Sequence, residues 1–196
     1  MHVSAIIAAG GRGRRLGASV PKQLLRLRGR TMLQWTLDAF LSCERVSDVV
    51  VVVPPELAAD PPDYLRVPKV SVVAGGERRQ DSVAMGFDAV PPDADVVLVH
   101  DAARPFVDSG TLGRSIDAAA EAGGAIAAVA ASDTVKWSPE AGAGGVGPRV
   151  IERTLSRGSV FLAQTPQAFR RSVLADAVAL GRSGVEATDE AALAEQ

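Results

Sequence analysis

No acidic residue precedes Asp38 in this 196-residue chain, whereas Arg12, Arg14, Arg15, Lys22, Arg26, Arg28 and Arg30 all do. The net charge of −2 argues against general nucleic-acid binding, so the local excess of cations points to one confined anion site. Cysteine is almost absent as well. The single Cys43 cannot form an internal disulfide, and its place in an amphipathic stretch marks a buried structural thiol rather than a nucleophile. No apolar run approaches the roughly 20 residues that span a bilayer. The opening MHVSAIIAAGG has neither the basic start nor the apolar length of a signal peptide, so a cytoplasmic location without a membrane partner is expected.

Short β-branched runs alternate with helical patterns, the signature of βαβ units and a mostly parallel sheet. Strands are predicted over Val3–Ala8, Val49–Val53, Val70–Ala74, Val96–His100 and Ala125–Ala130, and their near-continuous apolar character suits strands covered on both faces. Helices are predicted over Met32–Ser42, Asp81–Val90 and Thr111–Ala122, the last with Asp108–Ser109 as its N-cap. Pro54–Pro68 reads as a proline-punctuated connection. Pro139–Pro148 reads as a glycine-rich loop between two extended segments, SDTVKW and RVIERTL, which can pair as a projecting hairpin arm.

The first strand runs into AAGGRGRRLG, four glycines and three arginines in ten residues, followed by Pro21 and Lys22. A glycine loop at the carboxyl edge of an α/β sheet is a phosphate address, because free backbone N–H groups and helix N-termini face anions there. The dinucleotide fingerprint fails, since Leu16 stands where the third glycine belongs, and no Gly-Lys-Ser/Thr completes a Walker A loop. What remains is a loop that wraps phosphates and also supplies cations, as a triphosphate with a leaving pyrophosphate requires. A second cluster, VLVHDAARP, ends an apolar strand at His100 and Asp101, where a carboxylate suits a Mg²⁺ that bridges phosphates, with Arg104 close behind. His100 alone reads as a packed imidazole. Gly75, Gly76, Arg78, Arg79, Asp81 and Ser82 crowd another strand-to-helix junction, and Thr134, Arg157, Thr165 and Thr188–Glu190 add polar groups further on.

In order along the chain, AAGGRGRRLG…PKQ, GGERRQDSV, VHDAARPF, SDTVK, TPQAF and TDEA resemble the 2-C-methyl-D-erythritol 4-phosphate cytidylyltransferases of the non-mevalonate isoprenoid pathway, from residue 8 to residue 191. The resemblance implies an α/β fold of the Rossmann-like nucleotidyltransferase type, similar to glycosyltransferase A. Its sheet is mixed but mostly parallel, with helices on both faces and a projecting β-arm. One domain over 1–196 is expected, with a dimerisation arm at about 132–155 that clasps a second subunit. The implied reaction joins CTP to 2-C-methyl-D-erythritol 4-phosphate, with Mg²⁺, giving 4-diphosphocytidyl-2-C-methyl-D-erythritol and pyrophosphate.

Carried over position by position, the resemblance makes Arg15 and Lys22 the catalytic cations on the α-phosphate and leaving group. It assigns Ala8, Ala9, Gly10, Gly11, Gly13, Gly76, Ser82 and Asp101 to the nucleotide, and Asp101 also to the metal. It assigns Arg104, Thr134, Arg157, Thr165 and Thr188 to the acceptor, with Thr134 and Arg157 lent across a homodimer interface. In two places the sequence departs from the family pattern. The loop carries one residue more than the usual spacing between AAG and Arg-Arg-Leu, and the Asn-x-Lys-x-Thr-type segment with a second catalytic lysine finds no match in these 196 residues. The expectation is a truncated chain or an enzyme that works without that lysine. The alternatives are a ribitol-5-phosphate cytidylyltransferase, which differs in its acceptor, and a non-catalytic CTP-binding homologue.

Overall fold

A computed structural model describes residues 1–11, 20–139 and 148–196. These form two compact units, Met1–Ile126 with Thr165–Gln196, and Ala127–Gln164. The first unit holds β1 (Val3–Ala8), a small hairpin of β2 (Arg26–Leu27) and β3 (Arg30–Thr31), α1 (Met32–Leu41), β4 (Asp48–Val53), α2 (Pro55–Ala59), β5 (Val70–Ala74), α3 (Arg79–Asp88), β6 (Val96–Asp101) and α4 (Ser109–Ala122). Strand β7 (Gly124–Ala130) leads into the second unit and β10 (Phe161–Arg170) leads back, followed by α5 (Arg171–Arg182) and α6 (Glu190–Ala194). In the second unit β8 (Lys136–Trp137) pairs antiparallel with β9 (Arg153–Thr154), so the two extended segments do form a hairpin. Most of the glycine-rich stretch between them, 140–147, lies outside the described residues.

The six-stranded sheet runs β5-β4-β1-β6-β10-β7. Strands β5, β4, β1 and β6 are parallel, and β10 is antiparallel to β6. The continuous apolar runs are explained by two cores that read alternate residues of each strand. Val3, Ala5, Ile7, Val49, Val51, Val53, Val96 and Leu98 pack on one face with Leu33, Leu37 and Phe40 of α1 and Leu112 and Ile116 of α4. Ile6, Val50, Val52, Val97 and Val99 pack on the other with Val83 and Phe87 of α3 and Leu174 and Val178 of α5. Each fully buried side chain of this size contributes roughly 1.5–3 kcal/mol, which is why neither face of these strands tolerates polar alternation. Cys43 is buried within the first of these cores.

The chain winds outward in one direction from β1 through β4 to β5, and then returns to lay β6 on the other side of β1. That reversal opens a crevice at the carboxyl ends of β1 and β6, the position at which open α/β sheets bind ligands.

Candidate functional site

Ala8 and Asp101 are register partners at the ends of β1 and β6, and the amide of Ala102 donates to the carbonyl of Ala8 at 3.1 Å. The glycine loop and the site carboxylate therefore leave the sheet side by side. Ala9 is held by its own N–H, which donates to Val52 at 2.7 Å. Gln23 holds it from the other side. Its buried amide donates to the carbonyls of Ala9 at 2.6 Å and Gly11 at 2.9 Å, pinning the first turn of the loop. Gly13 and Arg15 lie outside the described residues, while Lys22 is exposed at the first position of a 3-10 turn that continues with Gln23.

The junction after β5 forms the neighbouring wall. Ser82, in the first turn of α3, accepts a hydrogen bond from the amide of Gly76 at 3.1 Å, and a Cβ at Gly10 would come within 3.0 Å of its hydroxyl oxygen. Gly76 is fixed by close approach, since a Cβ there would stand 2.6 Å from the Cβ of Asp81. Among the described residues, the start of the loop after β1 and the loop after β5 thus approach one another through glycines and one hydroxyl, too closely for a Cβ at Gly76.

Asp101 lies between two arginines. Its Oδ1 accepts from Arg79 Nε at 3.1 Å and its Oδ2 from Arg104 Nε at 3.1 Å. Burial alone would raise its pKa, but the charge of Arg79 and the hydrogen bonds from both arginines outweigh this and hold it below the usual carboxylate range. Its amide donates to Thr165 Oγ1 at 3.3 Å, which brings Thr165 of β10 to the same strand end. Arg79 in turn places Nη1 on both oxygens of Glu190, at 2.9 and 2.7 Å. Glu190 is buried, and that burial raises its pKa although the charge of Arg79 opposes the shift. Thr188 is exposed two residues earlier, next to Asp189, which caps α6 by accepting from Ala192 at 3.0 Å.

His100 packs against Phe40, with ring centroids 5.1 Å apart, and its Nε2 donates to the carbonyl of Arg104 at 3.1 Å. It is a core imidazole. Burial pulls its pKa down to about 4, so it is neutral and its hydrogen bond shapes the Asp101–Arg104 turn.

Thr134 and Arg157 belong to the second unit, where both are exposed and Arg157 Nη1 donates to the carbonyl of Ser132 at 3.0 Å. In the first unit the structure brings together Ala8, Ala9, Gly10, Gly76, Ser82, Asp101, Arg104 and Thr165. It adds Gln23, Arg79 and Glu190, for which residue type alone gave no sufficient signal.

A family model described as IspD: 2-C-methyl-D-erythritol 4-phosphate cytidylyltransferase matches residues 3–196. A bifunctional enzyme IspD/IspF of Anaeromyxobacter dehalogenans is 49% identical over 99% of this chain, and the chain spans about half the length of that relative, 49%. A 2-C-methyl-D-erythritol 4-phosphate cytidylyltransferase of Geotalea uraniireducens is 38% identical, with 100% of this chain and 84% of the relative covered. Among solved structures, the cytidylyltransferase of the same name from Thermus thermophilus superposes with a TM-score of 0.76 at 36% identity, covering 100% of this chain and 84% of the other.

Proposed function

The chain belongs to the 2-C-methyl-D-erythritol 4-phosphate cytidylyltransferase family, and from that premise we propose that it transfers the cytidylyl group of CTP to 2-C-methyl-D-erythritol 4-phosphate, releasing pyrophosphate. The observation that carries this reading is the pairing of Ala8 with Asp101 at the crevice between β1 and β6. It sets the start of the glycine loop, Ala8–Gly11, beside the ionised carboxylate of Asp101.

No protein nucleophile is needed. The acceptor phosphate is already anionic at neutral pH, so the site has to align it with the α-phosphorus and neutralise the charge that develops as pyrophosphate leaves. In this reading the backbone of Ala8–Gly11 and Gly13, together with Gly76 and Ser82, holds cytosine, ribose and phosphates, while Arg15 and Lys22 neutralise the triphosphate. Arg104, Thr165 and Thr188 line the acceptor side, and Thr134 and Arg157 come from a second subunit of a cytoplasmic homodimer. Exposed Val129, Val150, Ile151, Phe161 and Leu162 in the second unit support that dimer, since exposed apolar side chains of this size within one small unit call for a cover.

Among the described residues no group of three or more His, Cys, Asp or Glu side chains converges on one point. A lone Asp101 nevertheless fits Mg²⁺, which favours one or two carboxylates and takes its other ligands from water and substrate phosphates. When bound there, the ion would neutralise phosphate oxygens during transfer.

The test is pyrophosphate release from CTP and Mg²⁺ with methylerythritol phosphate or ribitol 5-phosphate offered separately. Release with the first acceptor alone is expected. Release with ribitol 5-phosphate alone would reassign the acceptor, and CTP binding without release from either would leave a nucleotide-binding protein.

A further inference from the structure

Among the described residues Glu190 is the only Asp, Glu, Lys or Arg that is fully buried, its side chain 2% exposed, and the proposed chemistry gives it no task. Stability is a weak reason for its presence. A buried ion pair loses in desolvation much of what it gains in attraction, and packed apolar residues of similar volume serve as well. The geometry offers a better reason.

The guanidinium of Arg79 uses two of its edges on two different carboxylates. Nη1 meets both oxygens of Glu190 at 2.9 and 2.7 Å, and Nε meets Oδ1 of Asp101 at 3.1 Å. Glu190 is itself fixed to the sheet. Buried Gln167 of β10 donates to Asp189 Oδ2 at 2.8 Å and accepts from the amide of Ala191 at 3.2 Å, so both sequence neighbours of Glu190 are held. With Arg104 on Oδ2 of Asp101, two cations and two carboxylates form a chain of zero formal charge from α6 to the end of β6. A lysine could not span it, because its ammonium is a single point charge with no fork.

We propose that Arg79 is a positioning residue which, clamped by Glu190, fixes the Asp101 carboxylate in the orientation required by the nucleotide site and couples the α6 segment to that site. This rests on the reading of Asp101 as part of a CTP site. Arg79 acts through Asp101 and not on the reacting atoms, so its loss lowers turnover more than it weakens nucleotide binding.

Three variants test this: Glu190→Leu, which removes both acceptors; Arg79→Lys, which keeps the charge and removes the fork; and Glu186→Gln, a control at a carboxylate that pairs with exposed Arg78 at 3.1 Å. In Glu190→Leu and Arg79→Lys, kcat for pyrophosphate release is expected to fall about 30-fold or more while KM for CTP stays within about threefold. The control should match the parent protein. In ligand-free crystals of Glu190→Leu, Arg79 should withdraw from hydrogen-bonding range of Asp101. Parental kcat in Arg79→Lys, or an unchanged Arg79–Asp101 contact in Glu190→Leu, overturns the proposal. If Glu190→Leu does not fold, Arg79→Lys decides. If the parent protein turns over neither acceptor, the cytidylyl-transfer reading fails, and the crystallographic comparison still decides whether Glu190 positions Arg79 on Asp101.

Discussion

The amide nitrogen of Gln23 donates to the carbonyl of Ala9 at 2.6 Å, across 14 residues of sequence, and the same nitrogen reaches Gly11 at 2.9 Å. One buried side chain thus ties the start of the glycine loop to the 3-10 turn that follows Pro21. Gln23→Leu keeps the bulk and removes both bonds, leaving two carbonyls with unmet capacity at a cost of about 1–3 kcal/mol. The Ala9–Gly11 backbone would also lose the shape that the proposed triphosphate site needs. Urea unfolding should show the lower midpoint, and KM for CTP should rise at least about fivefold with the α/β circular dichroism unchanged.

Gly86 illustrates how tightly α3 sits on the sheet. A Cβ added there would stand 2.7 Å from Ile6 Cγ2 and 2.8 Å from Val52 Cγ2, both branched and fixed in a packed core. Glycine to alanine inside a helix ordinarily stabilises by up to about 1 kcal/mol. Overpacking costs about 1–3 kcal/mol and wins here. Gly86→Ala is therefore expected to lower the unfolding midpoint, and a higher one would show that α3 can lift off β1 and β4 freely.

The sheet was legible in the sequence because its strands are covered on both faces. Val3–Ala8 and Val70–Ala74 match the expected bounds, and β4, β6 and β7 each extend one residue further. Asp108 caps α4 as expected, accepting from Thr111 at 2.7 Å. Strand β10 was not legible. FLAQTPQAFR carries a proline and two glutamines, and it becomes a strand because Ala168 and Phe169 pair with β6, a tertiary preference that outweighs local propensity. Helix α5 followed it into obscurity, and α3 begins at Arg79, two residues ahead of its expected start. Motifs were enough to single out Asp101, Ser82 and Gly76, because strand ends and glycine junctions have a fixed place in this topology. Arg79 and Glu190 were not identified as partners, since residues 111 apart in sequence meet only once α3 and α6 have both packed against α5.

The second unit carries the prediction about assembly. Phe161 is 61% exposed, Val150 78% and Ile151 58%, an unusual outlay of large apolar surface. If a second copy covers it, a charge placed there must desolvate against apolar neighbours on association. Phe161→Asp is expected to shift the protein from dimer to monomer in sedimentation velocity at micromolar concentration, with the first unit still folded. Activity should fall with it if, as proposed, Thr134 and Arg157 serve the site of a second subunit. A parent protein that sediments as a monomer, or a variant that stays dimeric, counts against the interface.

The two histidines should pull stability in opposite directions as pH changes. His2 has its pKa raised by hydrogen bonds to Asp48 at 2.6 Å and Asp93 at 3.2 Å. The folded state therefore holds its proton more tightly than the unfolded one. The contribution of His2 is fully present below the unfolded value near 6.5 and is lost as pH rises through the higher folded value. His100 is buried with its pKa pulled down to about 4, so the unfolded chain binds the proton first. Its neutral form favours folding above about pH 6.5, and stability drains away as pH falls from there toward 4, by an amount on the order of 3 kcal/mol. His2→Asn should therefore lower the urea midpoint at pH 5.5 and change little at pH 9. His100→Phe, which also removes the hydrogen bond to Arg104, should cost stability at pH 8 yet flatten the decline between pH 6.5 and 4.5. If the parent and His100→Phe profiles stay parallel over that interval, His100 is not the buried neutral group that its packing against Phe40 requires.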